Sequence, residues 1–233
     1  MIYIIYLLFF LSRISQCTTS PKRGLVYVPN KKYPSEDSIW DAPGTDLTWY
    51  YNYQSTSTSE YDKSNMQFVP MLWGQPSSSG SFYNDVKGMI DKGMNITYVL
   101  GFNEPDGTSS SGGSNIQPDT AAAIWLREIE PLKNLGIKLG SPATQGGSSG
   151  TDWLASFFYN CQNCTIDFVT VHWYGDFEGM ASHCGELYAN FGKRPLWVTE
   201  FALANTDLQD TQSFYNQSVN WLDNLTYVFS TRS

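Results

Sequence analysis

Histidine is scarce in this chain, with two in 233 residues, at positions 172 and 183. A site built on three imidazoles is excluded, and neither histidine sits in the His-Glu-x-x-His spacing of a metalloprotease. Charge is scarce as well, at 15% of residues, and it is biased. The chain has 14 Lys and Arg against 22 Asp and Glu, a net of −8. So few cations cannot supply the phosphate contacts that dominate nucleic-acid affinity, and no nucleic-acid partner is expected. No Walker loop occurs, and no Gly-rich dinucleotide fingerprint follows the first apolar run. Gly147-Ser-Ser-Gly150 lacks the strand–turn–helix setting of a nucleophile elbow. A Cys–His nucleophile would need Cys161 or Cys184 beside His172 or His183, with no supporting context. Neither a metal nor a cofactor is expected.

Long hydrophobic runs are missing except at the amino end. There MIYIIYLLFFL is followed by polar SRISQCTTS, which reads as a secretory signal too short to span a bilayer. Residues 1–17 are expected to be removed, with cleavage between 17 and 20, leaving one domain over 24–233 and no membrane partner. Four sequons, at Asn95, Asn163, Asn216 and Asn224, agree with a secreted glycoprotein, extracellular or in the cell wall. If Cys17 leaves with the signal, Cys161, Cys164 and Cys184 remain. That odd count permits one disulfide and one free thiol, and a local Cys161-x-x-Cys164 bridge is preferred to a redox or zinc role.

What the chain does have is apolar and aromatic surface, 41% and 15% of residues, which suits a globular core. Apolar runs lie at 24–28, 47–51, 67–73, 97–102, 137–141, 166–174 and 196–200. Helical periodicity appears over 85–93, 119–136 and 212–225, with Pro131 set to disturb the second. Each interval between run ends has room for one strand and one crossover, so parallel βα units are expected. Seven of them point to an α/β fold of the (β/α)₈ TIM-barrel type. Only residues 226–233 are left for an eighth strand, so the eighth βα unit is expected to be incomplete or truncated.

Barrel chemistry sits where strands end at the C-terminal face. Glu104 in GFNEPD follows the fourth run, and Glu200 in LWVTEF closes the seventh. Strands four and seven of a closed ring face each other across its mouth, so the two carboxylates could converge. Two carboxylates astride a glycosidic bond are what its hydrolysis requires. Asn103 could hydrogen-bond a sugar hydroxyl, or simply begin the turn at Pro105. Trp49, Tyr51, Trp73, His172, Trp173 and Tyr174 lie near strand ends. Trp73 and Tyr174 are assigned to a sugar-stacking groove and Trp173 to the core.

In order, GLVYV, WYYNY, FVPMLWG, GFNEPD, KLGSPAT, CQNCTIDFVTVHWYG and GKRPLWVTEFA resemble glycoside hydrolase family 128, the endo-β-1,3-glucanases, from about residue 24 to 228. The resemblance implies a (β/α)₈ barrel, a retaining double displacement and β-1,3-glucan as partner; a monomer is expected. It implies Glu104 as acid/base and Glu200 as nucleophile. Asn103, Trp49, Asn52, Trp73, His172 and Tyr174 match positions near substrate. Tyr53 stands where the family often has Trp. The family pattern continues past Val228 into an eighth strand and a helix, whereas this chain ends in FSTRS. A glucan-binding, catalytically weak relative is therefore the alternative.

Overall fold

The apolar runs become short strands. In the computed structural model, which describes residues 20–228, these are β1 (Gly24–Val26), β2 (Trp49–Tyr51), β3 (Gln67–Phe68), β4 (Tyr98–Val99), β5 (Lys138–Leu139), β6 (Val169–Tyr174) and β7 (Leu196–Ala202). Between them lie α1 (Ser81–Asp91), α2 (Pro118–Glu128), α3 (Ser148–Asn160), α4 (Phe177–Asn190) and α5 (Leu208–Asn224). Helix α2 stops where expected. Proline has no N–H to donate, and the chain passes into a 3₁₀ helix, Glu130–Leu135, that contains Pro131. The β1–β2 connection holds only a 3₁₀ helix, Pro34–Asp41.

Every strand pairing among the described residues is parallel. β1–β2–β3 form one ladder, β4–β5 a second and β6–β7 a third. Isolated bridges join the ladders, Met71 to Leu100 and Gly140 to Phe168, so the strands follow one another in chain order. After α5 the chain returns to β7, where Leu196 N–H donates to Tyr227 O and Val228 bridges Leu196. Residues 229–233, assigned from sequence to the rest of an eighth strand, lie outside the described residues, as does the expected signal peptide.

Strand alternation sorts the core into two layers. Trp49, Tyr51, Val69, Met71, Tyr98, Leu100, Phe168 and Trp197 pack together on one face of the strands. The Trp197 ring meets Trp49 edge-on at 4.7 Å and Tyr98 at 5.3 Å. Their neighbours in sequence, such as Tyr50, Phe68, Val99 and Leu139, belong to the larger cluster against the helices. Gly24 makes room for this inner layer, because a Cβ there would fall 2.0 Å from the Trp49 ring.

Two ties secure the periphery. Cys161 and Cys164 are disulfide-bonded, and Cys184 is a buried free thiol. At the start of β1, Lys22 Nζ donates to the carbonyls of Leu222, Asp223 and Leu225 at 3.0, 3.0 and 2.6 Å, closing the C-terminus of α5. Arg23 pairs with Asp46 and Asp223. Among the described residues, no helix is long and apolar enough to cross a membrane.

Candidate active site

Glu104 is held by backbone on both sides. Its N–H donates to Ala143 O at 2.7 Å, and the preceding Asn103 N–H donates to Trp73 O at 2.9 Å, tying the end of β4 to its neighbours. Its φ is 41°, a left-handed conformation that costs a non-glycine residue about 1 kcal/mol or more. The turn that follows compensates. Gly107 N–H donates to Glu104 O at 2.9 Å, and Gly113 packs so close that a Cβ would lie 2.6 Å from that same oxygen.

Glu200 reaches the interior through an irregularity in register. Val171 pairs with Val198, but His172 pairs with Glu200, so β7 carries one extra residue, Thr199. Trp197 points into the inner layer and Val198 toward the helices. Strict alternation would then send Glu200 outward. The slip reverses the parity, so Glu200 turns inward and Phe201 packs outward against Phe214.

The fully buried His172 stands between the two carboxylates. Its Nδ1 lies 3.1 Å from Glu104 Oε1 and its Nε2 lies 3.4 Å from Glu200 Oε1. Three phenols donate to Glu200: Tyr51 and Tyr53 to Oε1 at 2.6 and 2.8 Å, and Tyr174 to Oε2 at 2.6 Å. Burial, reinforced by the neighbouring Glu200 charge, pushes all three phenols well above the ordinary tyrosine range, so they remain donors. Burial pulls the Glu104 carboxyl up, but hydrogen bonds with His172 and from Gln145 Nε2 outweigh it. The net position is below the ordinary carboxylate value. Gln145 is itself fixed by its N–H donating to Asp106 at 3.0 Å. Burial raises Asp106, more than its hydrogen bonds lower it.

One ligand atom each from Glu104, His172 and Glu200 lies within 4.8 Å of the others, the one group of three possible metal donors among the described residues. Phenols and an amide already donate to these oxygens, which suits an acid–base pair organised by hydrogen bonds better than a cage for a hard cation. The carboxylates open into a cleft of about 690 Å³ whose walls include Trp73, Tyr53, Trp173, Tyr174 and Gln145. Buried Asn103 lies on this cleft. Its Nδ2 donates to Gly112 O at 3.2 Å, and its Oδ1 has no protein partner.

The structure therefore brings together Glu104, Glu200, Asn103, His172, Trp73 and Tyr174. Two expected substrate neighbours are placed elsewhere, and Trp173 joins the cleft wall as well as the core. Trp49 begins β2 rather than ending it, so its ring fills the inner layer below Tyr51, and its N–H donates to Lys22 O at 3.1 Å. Asn52 organises its own loop, donating to Thr56 O and accepting from Gln54 N–H. From sequence, Tyr51 counted only among the aromatics near strand ends and Tyr53 only as standing where the family often has Trp, while Gln145 was not singled out. The two tyrosines had a legible signal: spaced by two at a strand end, they share a face. Burial pushes the Cys184 thiol up to about 12, which removes it as a nucleophile. Asn95, Asn163, Asn216 and Asn224 are all exposed.

Residues 24–231 match the glycosyl hydrolase catalytic core family. The chain is 33% identical over 215 residues to alkali-sensitive linkage protein 1 of Schizosaccharomyces pombe. The match covers 88% of this chain and 37% of that protein, so the chain spans little more than a third of its relative. Among solved structures it is similar to a curdlan-specific exo-β-1,3-glucanase of glycoside hydrolase family 128 from Blastomyces gilchristii, in complex with glucose. Identity is 31%, the TM-score is 0.74, and 90% of this chain and 88% of that one are covered. An endo-β-1,3-glucanase of the same family from Pseudomonas viridiflava is 26% identical with a TM-score of 0.72, covering 91% and 85%.

Proposed function

Because the chain belongs to the glycosyl hydrolase catalytic core, and within it to glycoside hydrolase family 128, we propose that it hydrolyses β-1,3-glucan from within the chain, with retention of anomeric configuration. The observation that carries this reading is the convergence of Glu104 and Glu200 on one buried imidazole at the head of an open cleft. An approach within 4.8 Å suits retention, where the carboxyls stand about 5–5.5 Å apart, better than inversion at about 6.5–9.5 Å.

Glu104, protonated, gives its proton to the glycosidic oxygen as the bond from that oxygen to the anomeric carbon breaks. Glu200 attacks the anomeric carbon from the opposite face and forms a glycosyl ester. Glu104, now ionised, takes a proton from water. The water oxygen attacks the anomeric carbon, the ester breaks, and Glu200 returns as a carboxylate. Tyr51, Tyr53 and Tyr174 fix the attacking carboxylate, which removes orientational freedom before reaction. Asn103 Oδ1, unpartnered and at the cleft, suits a sugar hydroxyl donor.

The finer architecture belongs to the same proposal: a (β/α)₈ barrel, forming one catalytic domain from residue 24. Seven parallel strands in chain order, a packed inner layer and the return of residues 227–228 to β7 support it. Secretion, a cell-wall setting, use of the four exposed sequons and a monomeric state complete it. The test is reducing-sugar release from linear β-1,3-glucan, with product anomers followed by NMR. The native chain should release retained products, and Glu200→Gln should lose about a thousandfold or more. Binding to glucan without release by the folded native chain would overturn the hydrolytic reading.

A further inference from the structure

The connection from β2 to β3 is thin. It holds one 3₁₀ turn, Ser59–Tyr61, where a crossover between parallel strands ordinarily carries an α-helix. The outer side of the two strands is therefore only partly covered, and a cavity of about 330 Å³ opens over it. Its base is aromatic and apolar, with buried Tyr50, Tyr61, Met66 and Phe68. The Tyr50 ring meets Tyr61 at 5.1 Å and Phe68 at 5.2 Å. Gln67 lines the same cavity, and its buried Nε2 has no hydrogen-bond partner among the described residues. The catalytic arrangement does not use this place. Its rings belong to the outer cluster, and Tyr51 of the site belongs to the inner one.

Asn95, which opens an Asn-Ile-Thr sequon, is exposed in the loop between α1 and β4 and itself lines this cavity. Asn163, Asn216 and Asn224 do not line it. A sugar carried on Asn95 therefore starts at the mouth. The link forms as Asn95 Nδ2 bonds C1 of the first sugar of a lipid diphosphate-linked oligosaccharide. The C1–O bond to that donor breaks, the diphosphate departs with the oxygen, and Nδ2 loses one proton. N-acetylglucosamine suits what lies below. The C–H face of its ring and its acetyl methyl take aromatic surface, while its acetamide oxygen is an acceptor of the kind the Gln67 amide lacks. The cavity is of the size of the smaller ligand sites in proteins, about 300 Å³. We infer that the first N-acetylglucosamine of a glycan on Asn95 seats in this cavity and covers the strand surface left bare by the short crossover. This inference rests on the proposed secreted glycoprotein and adds that one of its glycans is part of the packing.

The test uses the full chain secreted by a eukaryotic host and trimmed with an endoglycosidase that leaves one N-acetylglucosamine on each occupied asparagine. Mass spectrometry reads which sequons carry it. The trimmed Asn95→Gln protein should melt about 2–4 °C below the trimmed native one. Asn163→Gln, Asn216→Gln and Asn224→Gln should show no such drop, and native and Asn95→Gln chains made without glycans in bacteria should melt together. Should Asn95→Gln fold poorly, NMR of the trimmed native protein reads the seat directly. One acetyl methyl signal should be displaced upfield by the Tyr50 and Tyr61 ring currents. An occupied Asn95 with an unshifted methyl and an unchanged midpoint overturns the inference and leaves the glycoprotein reading standing. An empty Asn95 beside other occupied sequons does the same. Four empty sequons overturn the two together.

Discussion

Glu104 has to hold a proton at one moment and release it at the next, and its surroundings pull it both ways. Burial favours the neutral acid, while His172 and Gln145 favour the anion and prevail in the free protein. Under the proposed reaction the free enzyme needs Glu104 protonated, so kcat/KM falls as pH rises through the value of that group. Because the value is held down, this alkaline limb sits on the acid side of an ordinary carboxylate. Gln145→Ala removes a donor to the anion and should move the limb to higher pH, read from the pH profile of kcat/KM. A limb that stays in place would show that Gln145 does not hold the proton balance. Glu104 could be picked from the sequence because the residue follows an apolar run in GFNEPD. Gln145 could not, since a glutamine after Pro-Ala-Thr looks like any loop amide until the fold lays it against a carboxylate from another strand.

At the scale of elements, the sequence was most legible where a local rule decides. Pro131 ended α2, and Gly93 and Gly136 follow helical segments in left-handed conformations, as helix stops do. Helices α3 and α4 were less legible. Gly/Ser residues open α3, and small or polar ones interrupt the apolar face of α4, so tertiary packing decides both. The Lys22 cap on α5 was invisible for another reason, because its partners lie 200 residues away. Burial lowers the Lys22 pKa more than the nearby Asp223 charge raises it, yet the ammonium serves three helix carbonyls at once. Lys22→Ala should cost about 1–2 kcal/mol, allowing for its partial exposure. A urea midpoint lowered at constant m-value would show this. An unchanged midpoint would mean that solvent serves those carbonyls equally well.

Across the whole molecule, alternation along strands separates what fills the fold from what faces the cleft. Composition and periodicity carried the parallel α/β arrangement. They did not carry depth, so Trp49, counted from sequence as a substrate neighbour, proved to be packing beneath the site. Sequence also could not show how Glu200 comes to face inward, because the residue types in LWVTEF are the same whichever way the strand is turned. The bulge at Thr199 decides it, because the extra residue is taken up without turning Glu200 away from His172. Deleting Thr199 removes one small side chain and no charge, ring or carboxylate. It restores strict alternation with Glu200 directly after Val198, so Glu200 should still face inward, opposite His172 and within reach of Tyr51, Tyr53 and Tyr174. The expected result is a folded protein by circular dichroism that keeps activity within about tenfold, whereas a loss of about a thousandfold, as in Glu200→Gln, would overturn this reading of the register. Thr199 is then a residue that the fold absorbs rather than uses, since the bulge lets β7 carry one residue more than its partner without turning the carboxylate away.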